Sequence, residues 1–301
     1  MIDSPRVIFI MGPTATGKTD LAVFLNENID SEIISVDSAM VYKGMDIGTA
    51  KPDKELLVKA PHRLIDICDP LEAYSAAQFR EDANLAIAEI LGKNKTPVLV
   101  GGTGLYFRAL EKGLAELPEA NSQIRARLEA EADADGWHRL PNRLREIDPD
   151  AAARISENDP QRIQRALEVF EITGKTLTAL ISAEHKEPFS YPIKKIILAP
   201  EDRSVLHERV RCRFIDMLKT GFIDEVEGLY RRGDLSLDLP SMRLVGYRQV
   251  WHYLNGECSY DEMQENAIIA TRQLAKRQIT WCRSEENAEW HDSYKTGIFS
   301  E

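Results

Sequence analysis

The sequence predicts an α/β protein: a parallel sheet flanked by helices on both faces, with an all-helical insertion and a helical C-terminal region. Three observations predict it. Short apolar, β-branched runs alternate with amphipathic stretches over roughly the first hundred residues, the pattern of crossover connections in a parallel sheet. From about Ser122 to Ser182 only helical periodicity is present, and one more strand-like run, Ile193–Ala199, follows it. After Arg203 the rest reads as helix. A strand that returns after a helical stretch makes that stretch an insertion within one sheet. We therefore expect a discontinuous core over residues 1–120 and 190–301, with the insertion over 121–189.

Taken in order, Arg6–Met11 is the first strand, and Gly12–Thr19 leads from it into a helix over Asp20–Asn28. Glu32–Val36 is a second strand, and Asp37–Lys51 is a loop broken by Gly44 and Gly48. His62–Cys68 is a third strand. Ser75–Leu91 is a helix capped by Ser75, with Phe79, Ala83, Ile87 and Leu91 as its inner stripe. Pro97–Val100 is a fourth strand ending at Gly101-Gly102, and another helix starts near Thr103. The insertion is punctuated by Pro141, Pro149 and Pro160. The C-terminal helices are Ser204–Lys219, Gly221–Arg231, Arg243–Leu254 and Tyr260–Arg283.

Composition excludes several classes. No run approaches the roughly 20 apolar residues of a membrane span, and no leader precedes the first strand, so a cytoplasmic protein is expected. The four cysteines and six histidines have no metal-ligand spacing. The net charge of −11 opposes a nucleic-acid partner if taken alone. Its distribution does not. Ala270–Arg283 has no acidic residue but contains Arg272, Lys276, Arg277 and Arg283, and Arg203–Arg213 sets four arginines against Glu208 alone. Acids crowd instead into Glu129–Asp135 and Asp224–Glu227, so an acidic chain can keep a basic face.

The segment Gly12-Pro13-Thr14-Ala15-Thr16-Gly17-Lys18-Thr19 has the two glycines and the Lys-Thr ending of a phosphate loop, between a strand and a helix. This makes the sheet P-loop NTPase-like. The glycines let backbone N–H groups turn inward, and the helix N-terminus adds positive potential. Lys18 brings a mobile charge, and the Thr19 hydroxyl can ligate Mg2+. ATP or GTP is the usual guest, but nucleotidases place an aspartate at the end of a later apolar strand. Here Pro97–Val100 ends in Gly101-Gly102-Thr103, and Asp66 and Asp69 are weaker candidates.

Strand C-terminal ends line the ligand crevice of an open parallel sheet, so Asp37 and Gly101–Thr103 should converge on the loop. Asp37 is either a general base or a turn cap together with Ser38, and position alone does not decide between them. Thr103 by itself is the better read as a helix cap.

Several blocks resemble the bacterial tRNA dimethylallyltransferases. They are Gly12–Thr19, Asp37–Pro52, Gly101–Tyr106, Asp159–Glu168, Val245–Gln249 and Lys276–Trp281, which together span almost the whole chain. Thr16 and Gly104 sit where that family varies, and nothing is drawn from them. The resemblance implies that the loop, with Arg213 as a second clamp, holds the diphosphate of dimethylallyl diphosphate. It implies that Asp37 takes the proton from N6 of adenine 37 in tRNAs reading codons that begin with U, with Thr103 near the base. It implies an insertion that grips the anticodon stem–loop; Mg2+ on Thr19 and a monomer are expected beside it. By the same resemblance the tRNA-contacting residues are Asp37, Ser38, Ala39, Met40, Thr103, Arg125, Gln161, Arg162, Ile163, Gln164 and Arg165. Those from the C-terminal region are Arg243, Val245, Gly246, Tyr247, Arg248, Lys276, Arg277, Gln278, Thr280, Trp281 and Arg283.

Read without the resemblance, Gln161, Arg162 and Arg165 are better taken as a solvated helix face. Tyr247 could pack beneath the loop instead of touching RNA. On the last helix, Arg272, Lys276 and Arg283 form a basic stripe suited to phosphates, while Leu274 and Trp281 are expected in the core. Three rival readings stay open: an ATP-dependent small-molecule kinase, an isopentenyltransferase acting on free adenine nucleotides, and a non-enzymatic RNA-binding module. The first lacks its magnesium aspartate. The second has no need of the insertion, and the third leaves the phosphate loop unexplained.

Overall fold

The computed structural model describes residues 7–183 and 189–294. Its first strand, β1 (Val7–Met11), is buried along its length, as a β-branched run covered on both faces of a parallel sheet should be. The chain turns into α1 (Lys18–Asn28) and returns as β2 (Ser31–Val36). A long loop and a short helix, α2 (Lys54–Lys59), lead to β3 (His62–Arg63). Helix α3 (Ala76–Gly92) starts at a capping box: Ser75 Oγ accepts from the Gln78 amide, and the Gln78 side chain accepts from the Ser75 N–H. Phe79, Ala83 and Ile87 form its buried stripe, with Leu91 at the margin. Strand β4 (Thr96–Gly101) and helix α4 (Gly104–Lys112) follow.

Next come five helices, α5 (Ser122–Asp135), α6 (Arg139–Ile147), α7 (Pro149–Arg154), α8 (Pro160–Thr173) and α9 (Leu177–Ala183). The prolines do what their chemistry allows. Pro149 and Pro160 open helices capped by Asp148 and Asp159, and Pro141 lies in the first turn of α6, where a missing N–H breaks no helical bond. These helices close on their own core of Leu128, Leu140, Leu144, Ile163, Ala166 and Leu167. The chain thus divides into two units. One joins the residues up to Glu111 with those from Phe189 onward, and the other begins at Lys112 between them.

The first unit resumes with β5 (Ile193–Ala199), α10 (Arg203–Lys219), α11 (Phe222–Tyr230), α12 (Tyr247–Leu254), α13 (Tyr260–Cys282) and β6 (Ala288–Asp292). Its sheet has the order β3-β2-β4-β1-β5-β6, and every pair is parallel. Because β2, β4 and β1 are neighbours, their C-terminal ends lie side by side. At roughly 4.8 Å per strand, the segments after β1 and β2 are about 10 Å apart.

Four sequence expectations need correction. The third strand stops at Arg63, because Leu64 and Asp66 take positive φ angles of 61° and 56° and lead the chain off the ladder. Only a single bridge, Tyr42 to Cys68, continues it. Helix α12 starts at Tyr247, since Gly246 at φ 94° breaks any helix from Arg243. The chain after Arg203 is not all helical: β6 is an edge strand whose Ala-Glu-Trp-His-Asp sequence carries no apolar run. Leu274 and Trp281 are only partly buried, and the core stripe of α13 is Ala267, Ile268, Ala275, Ile279 and Cys282.

Candidate active site

The loop after β1 is a strained glycine cradle. Gly12 sits at φ +150°, and a Cβ there would lie 2.1 Å from the Leu198 carbonyl oxygen, so no larger residue fits. The Thr16 hydroxyl donates to Pro13 O at 2.9 Å and the Lys18 ammonium to the same oxygen at 2.6 Å. Lys18 has its pKa lowered to about 8, chiefly by burial and further by the Arg213 guanidinium, against the pull of Asp37. Arg213 reaches in from α10, donating to Thr14 Oγ1 at 3.4 Å, and burial lowers its pKa too. Two partly buried cations facing one ring of backbone amides form a site that a polyanion stabilises.

Asp37 is the first residue after β2. Its Oδ1 accepts from the Ala39 amide at 2.8 Å and from the Met40 amide at 3.3 Å, so it does cap a turn. Its Oδ2 accepts no hydrogen bond among the described residues, which leaves that oxygen for an acceptor. The two roles left open by position are therefore compatible. Thr103 does not cap α4 with its side chain. Its hydroxyl accepts from the Ser38 amide at 3.1 Å and donates to Ser38 Oγ at 3.4 Å, tying the end of β4 to the end of β2.

Two cavities meet at these residues. One of 580 Å³ is lined by the phosphate loop with Thr19, Asp37 and Arg213. The other, of 340 Å³, is walled by Phe214, Met217, Leu244 and Leu274 and holds Asp37, Ser38 and Thr103. Thr14, Asp37, Gly102 and Arg213 line both. An anion-binding end and an apolar end thus share one carboxylate.

Helix α13 braces this junction. Gln278 accepts from the Thr14 amide at 2.9 Å and donates to Gly102 O at 3.1 Å, so its amide is spent joining the two glycine corners. Trp281 covers Gly104, where an added Cβ would meet the indole at 2.4 Å, and Arg108 lies over the same ring. The glycine on which the resemblance was silent is thus required by packing.

The loop that starts at Asp37 is held from two sides. Lys51, with a side chain only 3% exposed, binds Tyr42 O, Asp46 and Asp66. Glu225 of α11 accepts from the amides of Asp46, Ile47 and Gly48. Tyr247 is fully buried and donates to Glu225 at 2.6 Å, so it packs beneath the loop. Sequence reading missed Glu225 because it sits in an acidic run that looks solvated. Asp66 and Asp69 are committed to Lys51 and Arg232, which removes the weaker magnesium candidates of a kinase.

Other expected RNA contacts divide sharply. In the helical unit, Ile163 is core. Arg125 and Arg165 bind the fully buried Glu168, and Gln164 donates to Arg125 O and Glu129. All four are engaged within their own unit. Gln161 and Arg162 are exposed, the latter 3.3 Å from Asp159. In the other unit, Gly246 is buried and Val245 partly so, while Arg243, Arg248, Lys276, Arg277, Thr280 and Arg283 are exposed. Ser38, Ala39 and Met40 are partly buried beside Asp37.

Comparison with known proteins agrees with this geometry. The IPP transferase family model matches residues 40–285. A tRNA dimethylallyltransferase of Thioalkalivibrio sulfidiphilus is 59% identical over 281 residues, covering 93% of this chain and 88% of the relative. The solved full-length tRNA isopentenylpyrophosphate transferase of Bacillus halodurans superposes with a TM-score of 0.70 at 38% identity, covering 96% of this chain and 90% of that one. A eukaryotic dimethylallyltransferase acting on tRNA gives a TM-score of 0.79 at 25% identity, covering 98% and 76%.

Proposed function

The chain belongs to the IPP transferase family, and on that premise we propose that it transfers a dimethylallyl group from dimethylallyl diphosphate to N6 of adenine 37 in tRNAs reading codons that begin with U. It is an enzyme of tRNA modification, a dimethylallyltransferase like its 59% identical relative. The observation that carries the reading is the Asp37 carboxylate at the meeting of an anion cradle and an apolar cavity.

In the reaction a bond forms between N6 and the allylic C1 while the C1–O bond breaks, and its electron pair leaves with the diphosphate. The lone pair of N6 is delocalised into the adenine ring, which makes the amine a weak nucleophile. Asp37 Oδ2 accepts its hydrogen bond and takes its proton. Lys18, Arg213 and the loop amides receive the charge that gathers on the leaving group. Thr103, which holds Ser38, keeps Asp37 aimed. The apolar wall of Phe214, Met217 and Leu274 excludes water from the allylic carbon.

The donor set fits magnesium. Thr19 lines the cradle cavity beside Lys18, and Mg2+ on phosphates characteristically needs few protein ligands. Thr19 would hold the ion by its hydroxyl, and the ion would supply charge neutralisation for the diphosphate. The target base must leave its stack, at a cost of about a few kcal/mol, and we assign the offsetting grip on the anticodon stem–loop to the helical unit. No helix among the described residues is long and apolar enough to cross a membrane.

The test is label transfer from dimethylallyl diphosphate in parallel reactions with tRNA, AMP and ATP. Transfer to tRNA alone is expected. Transfer to AMP would instead favour an enzyme of free nucleotides, and ATP turnover without transfer a kinase.

A further inference from the structure

We propose that Tyr294, two residues beyond β6, is a positioning residue of the diphosphate site: it latches the phosphate loop at Ala15 and holds Arg209 to the cavity as a further cation for the diphosphate. The proposal rests on the cradle taking a diphosphate. It concerns a residue beyond position 285, where the match to the family model ends.

Ala15 is a strained point of the loop. Its φ of 64° lies in the left-handed region, which costs an L-residue free energy. Ala15 packs against the cluster of Leu206, Val210, Ala275 and Ile279, and its carbonyl oxygen accepts from the Tyr294 hydroxyl at 3.0 Å. A peptide unit is planar and trans, so its C=O and N–H point to opposite sides. With the Ala15 oxygen fixed on Tyr294, the Thr16 N–H is turned away from Tyr294. Thr16 lines the cradle cavity and Tyr294 does not. The latch therefore works from behind the loop, and it sets the direction of an amide that a phosphate oxygen would meet.

The same ring carries a cation. The Arg209 guanidinium lies over the Tyr294 face, with Cζ 4.0 Å from the ring centroid. A guanidinium carries its N–H donors in its plane, so a ring under its face leaves them for an acceptor, where a carboxylate would occupy them. Arg209 lines the cradle cavity together with Arg213. The two are four residues apart on α10, hence on one face and roughly 6 Å apart along the axis. That spacing lets each meet one end of a diphosphate. Asp20 and Asp216 line the same cavity, so an arginine held by nothing would turn to them and be lost to the ligand. Tyr294 is itself fixed: Asp292 Oδ1 accepts its amide at 3.1 Å, and the Ser293 amide donates to Ala199 O, at the end of β5, at 3.3 Å. Burial raises the pKa of the phenol, against the pull of Arg209, so the latch keeps its proton at neutral pH.

The experiment is calorimetric binding of pyrophosphate and of dimethylallyl diphosphate to the full chain and to Tyr294→Phe, Tyr294→Leu and Arg209→Gln, with melting curves to check folding. Tyr294→Phe keeps the ring and loses the bond to Ala15, so affinity should fall roughly threefold. Tyr294→Leu also releases Arg209 and should lose about tenfold, as should Arg209→Gln. With Arg209→Gln already in place, Phe and Leu at position 294 should be equivalent, because no cation remains for the ring to hold. KM for dimethylallyl diphosphate should rise in each variant, while KM for tRNA stays that of the parent. Unchanged affinity in both Tyr294 variants overturns the proposal, whether or not the melting temperature falls. So does a difference between Phe and Leu that persists undiminished beside Arg209→Gln. If the unmutated protein binds neither ligand, the diphosphate reading of the cradle fails and the proposal with it; if it binds both and the variants match it, only the proposal fails.

Discussion

The Tyr247 hydroxyl donates to the Glu225 carboxylate at 2.6 Å, and the same carboxylate accepts three backbone amides of the loop that begins at Asp37. Helices α11 and α12 therefore set the shape of a segment that carries the proposed base. Replacing Glu225 by Gln turns one acceptor into a donor facing backbone donors. The expected cost is about 1–3 kcal/mol of stability, and about 1 for Tyr247→Phe, which removes one bond and leaves the ring. Turnover should fall in Glu225→Gln with little change in KM for the diphosphate. Denaturant melts and steady-state kinetics check this, and a variant that melts and turns over like the parent would show the loop is held elsewhere.

Lys18 makes diphosphate binding depend on pH. Its pKa is held down to about 8 by burial and by Arg213. Between about 8 and 10.5 the unfolded chain binds more protons at this residue than the folded one, so its contribution makes the free protein more stable as pH rises through that window. Binding an anion favours the charged form, so affinity should be constant below pH 8 and weaken above it, approaching about tenfold per unit. Calorimetry with dimethylallyl diphosphate measures this. Lys18→Met should bind weakly at every pH and lose the dependence; an identical slope in that variant assigns it to another group.

Glu168 anchors the helical unit. Burial alone would raise its pKa, but hydrogen bonds from Arg125, Arg165 and the Asn121 amide hold it below the ordinary value. Its contribution to stability is present above the usual carboxylate pKa and is lost as pH falls through the lowered one. Arg165→Met leaves the buried carboxylate half-paired and should cost about 3 kcal/mol, whereas Arg162→Met, on an exposed pair, should cost less than about 1. Thermal melts of both variants at neutral pH give the comparison, and equal losses would contradict it.

Gly104→Ala tests the brace of α13. The new methyl would press on the Trp281 ring at 2.4 Å, and overpacking of this kind costs about 1–3 kcal/mol. Indole fluorescence should shift as the ring moves. No change in melting temperature or emission would mean that the contact relaxes freely.

The parts of this molecule legible in its sequence are those where local chemistry fixes the backbone. Gly12–Thr19 reads as a phosphate loop because only glycine tolerates the first turn, and α3 announces itself through Ser75 and Gln78. What could not be read depends on partners distant in the chain. Gln278 looks like an exposed polar residue of a basic helix until Thr14 and Gly102 are seen to occupy its amide. That Arg125 and Arg165 share one buried carboxylate, Glu168, could not be read from their places on two different helices. Strand β6 carries no apolar run, and only the exposed edge of β5 makes it a strand.

The central claim is that an allylic diphosphate lies in the glycine cradle while Asp37 faces the amine that displaces it. A crystal structure with a non-hydrolysable dimethylallyl diphosphate analogue and an anticodon stem–loop tests this most directly. The two phosphates should lie on the Gly12–Thr19 amides, with the flipped adenine N6 about 3 Å from Asp37 Oδ2. A nucleoside triphosphate preferred in the cradle, or an adenine amine beyond reach of Asp37, would contradict it.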